Sequence, residues 1–411
     1  MVRGRRGRVG DGRAVTTDRE VSSLPDAVKA LSPAAAEGPA ATSGGGSAGV
    51  LAARSRRVHH GPPPATLEAF VSTPAGRTPL PTIDEVAELA GVSRATVSRV
   101  VNGYAGVRPG PRRAVEEAVA RLHYVPNRLA RSLVTRRTDT IALVLVESDT
   151  QVFSDPFFAR VVRELSASLA DTELNLVLLA ASGEREQEKV ARYVRQGHVD
   201  GVVLVSLHRR DPLPGVLAEA RVPLVLCGRP FDDAPVCSVD ADNAGGARAA
   251  TAHLLATGRR RVATVTGPQD MVAGIDRLVG HRAALAAAGL PVDPALEAEG
   301  DFTEAGGGAA MAALLQRAPD LDGVFVASDP MAVGALRVLR EAGRSVPGDV
   351  AVVGFDDAPV AATTDPPLTT IAQPLGEMTR LMVELLLAQV AGGEPDRARV
   401  CPTRLVVRGS A

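Results

Sequence analysis

The sequence predicts an α/β protein in which three short helices precede two lobes, each built on a doubly wound parallel sheet. Between residues 82 and 122, capping residues and glycines divide the chain into three short helical stretches. After residue 137, apolar runs of strand length alternate with helical stretches, which is typical of parallel sheets covered on both faces. The 411 residues are 45% apolar, which is enough to form more than one hydrophobic core.

Residues 1–79 are predicted to be a disordered, basic N-terminal extension. They are rich in Ala, Gly, Pro and Ser, show no sustained hydrophobic periodicity and carry 11 basic against 6 acidic residues. A segment of this composition cannot bury enough apolar surface to offset the loss of chain entropy. Its GGGSAG run has no strand before it and no helix after it, so we interpret it as a flexible linker rather than a phosphate-binding loop.

Charge and composition also limit the compartment and the partners. Residues 80–140 carry ten basic and six acidic residues, whereas residues 141–411 carry 25 and 35, so a polyanionic partner would meet the front of the chain. No run of 18 apolar residues is present, and the basic start lacks the apolar region of a signal peptide. Three widely spaced cysteines, Cys227, Cys237 and Cys401, fit free thiols. We therefore expect a cytoplasmic protein without a membrane contact.

Three helices are expected within residues 80–126. Thr82 and Glu85 form a capping box, Gly91 ends the first helix, and Ser93 caps the second. Two short helices joined by so tight a turn form a helix-turn-helix motif. The predicted helices cover residues 83–90, 94–102 and about 112–122.

The second of these helices has two different faces, one aliphatic and one polar. Arginine can bind guanine bidentately, asparagine can pair with adenine, and alanine can touch a thymine methyl group. Amphipathicity alone favours an ordinary surface helix, but the tight turn, the cap and the basic surroundings favour a helix in the major groove of DNA. The polar face holds Arg94, Ala95, Ser98, Arg99 and Asn102.

Residues 127–137, NRLARSLVTRR, are predicted to form a short hinge helix. About nine helical residues are too few to be stable alone in water, so we expect this helix to form only when it packs, for instance against its twin from a second subunit on DNA. An exposed leucine there can wedge into the minor groove and bend the duplex. The alternative is an ordinary linker helix whose leucines pack on the body of the protein.

Residues 138–411 are predicted to form the two doubly wound lobes. Ligands of such sheets bind beyond the carboxyl ends of the strands, so residues at those ends are the first candidates for a site. We assign the first lobe to about residues 138–242 and 374–398 and the second to about residues 243–373 and 399–411. The predicted strands are 140–146, 174–180, 200–206, 222–228, 261–267, 322–328 and 349–355, and the clearest helices are 184–196, 244–257, 276–288 and 331–342.

Two stretches, TIDEVAELAGVSRATVSRVVNG and YVPNRLARSL, resemble the signature of the LacI/GalR family of bacterial transcription regulators. The resemblance continues through SDPFFARVV, SVDADNAGG, VFVASDPMAVGALRVLREAG and VPGDVAVVGFDD and covers about residues 80–411. It implies a helix-turn-helix DNA-binding domain over 80–126 and a hinge helix over 127–137. It also implies a periplasmic-binding-protein-like domain for effector binding and dimerisation over 138–411.

The same resemblance implies which residues contact DNA. Arg94, Ala95 and Arg99 stand where the family reads bases, and Leu133 stands where it inserts a hinge leucine into the minor groove. The complete implied set is Ser93, Arg94, Ala95, Thr96, Ser98, Arg99, Asn102, Asn127, Arg131 and Leu133.

In the body, the resemblance implies an effector site between the lobes. A carboxylate and a guanidinium can fix vicinal hydroxyl groups, and phenyl faces can stack on the C–H side of a sugar. Singly, Asp356 can instead cap a turn, Arg277 can be an exposed helix charge, and the phenylalanines can be core residues. Gly228 stands where the family usually has an acid, so we expect no effector contact there. The implied effector residues are Phe157, Phe158, Arg277, Phe302, Ser328, Asp329, Asp356 and Gln373.

These observations together predict a sequence-specific repressor that binds a palindromic double-stranded DNA operator as a homodimer. Its operator affinity would change when a small-molecule effector, a carbohydrate, binds between the lobes. A periplasmic sugar-binding protein is the disfavoured alternative, because it would have no use for residues 80–137. A purine or a phosphorylated metabolite stays open as the effector. We find no catalytic constellation and no metal-ligand spacing, and expect neither enzymatic activity nor a cofactor.

Replacing Arg99 with alanine should weaken operator binding by about 1–3 kcal/mol and relax the sequence preference, because a base contact carries specificity. Fluorescence anisotropy with operator and random DNA measures both effects. An equal loss on random DNA would show that Arg99 contacts only phosphate.

Overall fold

The computed structural model describes residues 81–125, 137–232 and 234–411. The predicted disordered extension, residues 1–79, lies outside the described residues. So does the predicted hinge helix, of which only Arg137 is described.

The helix-turn-helix region contains three helices that share a small apolar core. Thr82 and Glu85 form both hydrogen bonds of the capping box, and Gly91 ends the first helix with a positive φ of 65°. Val86, Val97 and Val115, one from each helix, are completely buried. The helices are α1 Ile83–Ala90, α2 Arg94–Val101 and α3 Pro109–Leu122.

The third helix begins three residues earlier than the sequence analysis predicted. Pro109 occupies its first position, where the missing backbone N–H costs no hydrogen bond and the fixed φ suits a helix. The prolines at 109 and 111 therefore lie within the first turn instead of preceding the helix.

The first lobe is built on a six-stranded parallel sheet with strand order β11-β5-β4-β3-β1-β2. Strand β1 lies next to the edge strand β2 and pairs with β2 and β3, so that Leu143 lies beside Leu178 and Val203. The elements before the first crossing are β1 Thr140–Leu145, α4 Asp149–Ser154, α5 Pro156–Leu169, β2 Asn175–Ala180, α6 Glu184–Arg195, β3 Gly201–Val205, α7 Leu213–Glu219, β4 Leu224–Cys227 and β5 Cys237–Ala241.

The second lobe is built on a six-stranded sheet with strand order β12-β10-β9-β8-β6-β7, parallel except for its edge strand β12. Its elements are α8 Asn243–Ala256, β6 Val262–Thr266, α9 Val272–Ala287, β7 Glu297–Glu299, α10 Glu304–Arg317, β8 Gly323–Val326, α11 Asp329–Glu341, β9 Ala351–Asp356 and β10 Thr369–Ala372. The remaining elements of the chain are α12 Leu375–Val390, β11 Ala398–Cys401 and β12 Arg404–Val406.

One predicted lobe boundary is wrong. Strand β11 pairs in parallel with β5 of the first sheet, with Ala398 beside Ser238 and Cys401 beside Ala241. The last crossing between the lobes therefore follows Cys401 and does not lie at 398–399. The ARVC stretch has no pattern that assigns it to either sheet, and its pairing partner decides the question.

All seven predicted strands are present, each within two residues of its predicted ends. Five further strands of three to five residues, β5, β7, β10, β11 and β12, were not predicted from the sequence. They are short and contain polar residues, so they lack the continuous apolar run that identified the others. Both faces of each sheet carry buried apolar clusters, as expected for doubly wound sheets.

Helices α10 and α11 pack so closely that glycine is required where they meet. A Cβ added at Gly334 would collide with the carbonyl oxygen of Glu304.

Gly334→Ala should therefore lower the free energy of unfolding by about 1–3 kcal/mol, measured by denaturant titration. Gly215→Ala is the matched control, because Gly215 is an exposed helix residue with open space around its Cα. That control should be neutral or stabilising by about 0.5–1 kcal/mol, and equal losses in both variants would contradict the packing argument.

Candidate ligand cleft and nucleic-acid interface

The second helix presents the two faces that the sequence predicted. Val97 and Val100 are buried in the small core, whereas Arg94, Ala95 and Arg99 are exposed. Thr96 and Ser98 are half-buried. The exposed face is therefore free to enter a groove, and the base contacts themselves stay predictions.

Two of the predicted DNA-binding side chains also shape the ends of this helix. The Ser93 hydroxyl accepts a hydrogen bond from the Thr96 N–H at 3.2 Å, and Asn102 Nδ2 donates to the Ser98 carbonyl at 2.8 Å. Both have a structural role in addition to any contact with DNA. Asn127, Arg131 and Leu133 lie outside the described residues.

A cavity between the lobes brings together residues that are far apart in the sequence. Residues that follow β3, β4, β8 and β9 line it, as expected for ligand sites at the carboxyl ends of parallel strands. Seven of the eight predicted effector residues line it, namely Phe157, Phe158, Arg277, Phe302, Ser328, Asp356 and Gln373.

Arg277 is the central charge of this cleft and is only 5% exposed. Its Nε donates to Asn243 Oδ1 at 2.9 Å, and one terminal nitrogen donates to the Ala327 carbonyl at 2.6 Å. The other terminal nitrogen lies 3.5 Å from Asp356 Oδ1. The guanidinium also lies over the Phe355 ring, 3.8 Å from its centroid. Arg277 is thus a fixed, buried cation and not an exposed helix charge.

Asp356 ends β9 and holds its carboxylate between two partners. Gln373 Nε2 donates at 2.5 Å to Oδ1, the same oxygen that lies 3.5 Å from the Arg277 guanidinium. Burial raises the pKa of the Asp356 carboxyl, and Arg277 opposes that shift. Its φ is 112°, a region that L-residues rarely adopt, and such backbone strain is concentrated at functional sites.

Asp329, the eighth predicted effector residue, does not line the cavity, and its contact with an effector stays a prediction. Both of its carboxylate oxygens are already used: one accepts from the Thr370 hydroxyl at 2.6 Å and the other from the Ala358 N–H at 2.7 Å. Asp329 therefore ties the loop after β9 to the neighbouring strand.

Three aromatic side chains border the cavity in different ways. Phe158 is 3% exposed and belongs to the first-lobe core, while Phe157 packs edge-on against it and is half-buried. Phe302 has a positive φ of 64°, and its centroid lies 5.6 Å from the Arg277 guanidinium. A Cβ at Gly267 would collide with the Phe302 ring, so this glycine makes room for it. Phe157 and Phe302 are the rings available for stacking.

Asp155, Asp240 and Asn243 are among the polar cleft residues that were not predicted from the sequence. Asp155 caps α5 through the Phe157 N–H, and Asn243 joins Arg277 to Asp240 by donating to Asp240 Oδ1 at 3.0 Å. Burial raises the pKa of Asp155 to about 7 and that of Asp240 to about 6. The rule that ligands bind at strand ends would have identified Asp240 and Asn243 if β5 had been recognised as a strand.

Gly228, where no effector contact was expected from the sequence, lies at the cleft, and the expectation itself stays a prediction. Gly228 and Arg229 both line the cavity, and Gly228 has a φ of 100° that favours glycine. Arg229 forms a bidentate ion pair with Asp276 of the second lobe, at 2.6 and 3.1 Å. This position therefore links the lobes.

Two regions of the chain match known families. Residues 82–127 match bacterial regulatory proteins of the lacI family, and residues 251–411 match a periplasmic binding protein-like domain. CelR, an HTH-type transcriptional regulator of Thermobifida fusca, is 51% identical over 333 residues, which are 80% of this chain and 98% of that protein. The ribose operon repressor of Escherichia coli K12 is 35% identical over 334 residues, covering 80% of this chain and 99% of the repressor.

This chain belongs to the LacI family. Solved structures agree: a complex of the transcriptional regulator CelR with cellobiose superposes with a TM-score of 0.65 at 49% identity, covering 80% of this chain and all of that one. A lac repressor dimer bound to operator and the anti-inducer ONPF gives a TM-score of 0.71 at 29% identity, covering 80% of this chain and 98% of the repressor. The LacI-family protein described here is a DNA-binding transcription regulator.

Membrane and metal features of this regulator can be stated for the described residues. Within residues 81–125, 137–232 and 234–411, no helix is long and apolar enough to cross a membrane. The same part of the chain has no group of three His, Cys, Asp or Glu side chains arranged to hold a metal ion.

Asp155 should make the free regulator less stable as the pH rises. Its pKa of about 7 in the folded state exceeds the ordinary value of 3.8, so the folded protein binds more protons than the unfolded chain between about pH 4 and 7. Stability then falls over that range. Asp155→Asn keeps the helix cap and should remove this loss of stability with rising pH, which is on the order of 1–3 kcal/mol. Denaturant unfolding at about pH 4 and at about pH 7 measures the difference.

The matched control is Asp349→Asn, whose effect on the pH dependence of stability should have the opposite sign. Hydrogen bonds from Ser345 lower the pKa of this exposed carboxyl, so it contributes stability that is lost as the pH falls. If both variants changed the pH profile in the same direction, the burial argument for Asp155 would be wrong.

Proposed function

We propose that this regulator is a repressor whose operator affinity is set by a neutral oligosaccharide of the cellobiose class bound between the lobes. The observation that carries the proposal is the buried Arg277–Asp356 pair beside Phe302, in a cleft lined by both lobes. This arrangement suits vicinal hydroxyl groups and the C–H face of a pyranose ring. The relative with a known carbohydrate complex, CelR, supports the ligand class.

The charge of the cleft argues against a phosphorylated effector. Asp155, Asp240 and Asp356 line it, and burial raises the pKa of each carboxyl. Its two arginines are already paired, Arg277 with Asp356 and Arg229 with Asp276. A phosphate would meet more carboxylates than free cations, whereas hydroxyl groups can donate to these carboxylates without adding charge.

The proposed mechanism requires two states of the protein that differ in effector affinity. A ligand that touches both lobes binds the closed state more tightly than the open one and shifts the population toward it. By linkage, DNA affinity and effector affinity change reciprocally. We assign DNA reading to residues 80–126, coupling to 127–137, and effector binding and dimerisation to 138–411. A homodimer gives two half-sites on a palindromic operator, and the lac repressor dimer on its operator supports that arrangement.

These assignments place the regulator on DNA in the cytoplasm and give the cleft a binding role without a reaction. The exposed polar face of α2 supports binding to DNA. The paired, buried side chains of the cleft support a site that binds a ligand without reacting with it.

Cellobiose should raise the melting temperature of the full-length regulator. At about 100 times its Kd, a ligand adds about 2.7 kcal/mol of stability, which is a shift of several degrees. Asp356→Ala should abolish the shift, because it removes a carboxylate that lines the cleft and leaves Arg277 unpaired. Differential scanning fluorimetry measures both.

Glu341→Gln is the matched control, because Glu341 lies on the surface of the same lobe and pairs with Arg337 in the same helix. This variant should keep the full shift. A sugar phosphate or a nucleobase that stabilises the protein while cellobiose does not would overturn the proposed ligand class. Operator release on cellobiose addition, followed by anisotropy, tests the repressor role.

A further inference from the structure

A histidine close to the residues that line the cleft joins the two lobes. His208 follows β3 of the first lobe, and each of its ring nitrogens faces a carboxylate. Its Nε2 lies 3.1 Å from Glu147 Oε1, and its Nδ1 lies 2.9 Å from Asp270 Oδ2. Glu147 follows β1 in the same lobe and is 8% exposed, whereas Asp270 follows β6 in the second lobe.

This geometry fixes the protonation state of the imidazole. Ionised carboxylate oxygens only accept hydrogen bonds, so both ring nitrogens of His208 must donate, and the ring must be the doubly protonated cation. The hydrogen bond to Glu147 is the main cause that raises the pKa of His208 to about 9, and Asp270 adds to it against the effect of burial. The ion pair is therefore complete at neutral pH.

The contact lies in a region where the two lobes also meet through the backbone. The Arg209 N–H donates to the Asp270 carbonyl at 2.8 Å, and His208 forms a β-bridge with Met271. The third acid nearby, Asp211, accepts from the His208 backbone N–H at 2.6 Å and from Gln187. Glu147, Asp270 and Asp211 are the acidic groups around His208, and the Arg209 guanidinium is turned onto the Phe231 ring.

The cluster continues into the cleft itself. Ser206 lines the cavity, and its hydroxyl donates at 2.7 Å to the same Glu147 oxygen that His208 binds. One buried carboxylate oxygen thus connects a cleft-lining hydroxyl to the histidine, and the histidine connects it to the second lobe. A change at His208 acts on both the cleft wall and the contact between the lobes.

We propose that His208 is a positioning residue that clamps the two lobes closed over the effector, so that effector binding is linked to the binding of a proton. The proposal rests on the proposed function in that it uses the same cleft. When the lobes open, Asp270 moves away with the second lobe, whereas Glu147 stays beside His208. Closing therefore raises the proton affinity of His208.

The sign of the pH dependence follows from that difference. The pKa of His208 is higher in the closed state, where it is about 9, than in the open state. The clamp is then fully formed at neutral pH and is lost as the pH rises through about 9. For each pKa unit by which closing raises the pKa of His208, the equilibrium constant for closing falls by up to about tenfold when His208 loses its proton.

A second contact between the lobes provides a comparison that does not titrate in this range. Arg229 and Asp276 also join the first lobe to the second, and the guanidinium keeps its charge to well above pH 9. Loss of this pair should weaken effector binding without changing its pH dependence.

Isothermal titration of the full-length regulator with cellobiose, at pH 7 and at about pH 9.5, tests the clamp. We expect the wild-type affinity to fall about three- to tenfold at the higher pH. His208→Gln should bind cellobiose more weakly at pH 7 and lose the fall in affinity near pH 9, whereas Arg229→Gln should bind more weakly at both pH values and keep that fall. His198→Gln is the matched control, since this exposed histidine stacks on Tyr193 of its own lobe and should behave as wild type. A wild-type affinity that does not change with pH would overturn the clamp.

A second measurement separates failure of the clamp from failure of the proposed ligand. If cellobiose does not bind the wild-type protein, the ligand class is wrong, and the clamp is then judged on the ligand-free protein. The imidazole NMR signal that disappears in His208→Gln should titrate near pH 9, and Asp270→Asn should lower that value. Titration near the ordinary histidine value of 6.5 in both proteins would refute the clamp whatever the effector is.

Discussion

The cleft depends on one buried cation. The Arg277 guanidinium is almost completely removed from water, and such a charge is tolerated only where every donor has a partner. Its partners come from the start of α8, the end of β8 and the end of β9. Because Asn243 also binds Asp240 near the end of β5, the same network fixes the point where the chain first crosses between the lobes.

The carboxylates around this cation determine what the cleft can accept. Burial raises the pKa of Asp155, Asp240 and Asp356, so each carries an electrostatic cost in the free protein. A ligand that brings hydroxyl donors relieves that cost, and one that brings a further negative charge increases it. Phe302 and Phe157 then select for an apolar ring face between these polar groups. The combination explains why a neutral sugar suits the site better than an anion.

Contacts between the lobes lie at several places around the cleft and differ in chemistry. Arg229–Asp276 is a permanent ion pair, His208–Asp270 requires a proton, and Arg160 donates to the Asp356 carbonyl at 2.9 Å. A ligand bound among them adds to interactions that already favour closure. Several modest interactions together set the stability of the closed state, so one ligand can shift the equilibrium between the open and closed states.

The sequence by itself determined the local features: the capping box, the turn at Gly91, the two faces of the second helix and the long apolar strands. Each depends on residues within a few positions of one another, so the pattern is complete in the sequence. Tertiary structure alone decided that β5 is a strand, that Asp155 and Asp240 join the cleft, and that β11 belongs to the first sheet. It also decided that the Asp329 carboxylate binds Thr370 and Ala358 and does not line the cleft. These outcomes depend on partners about 30 to 160 residues away, which no local pattern specifies.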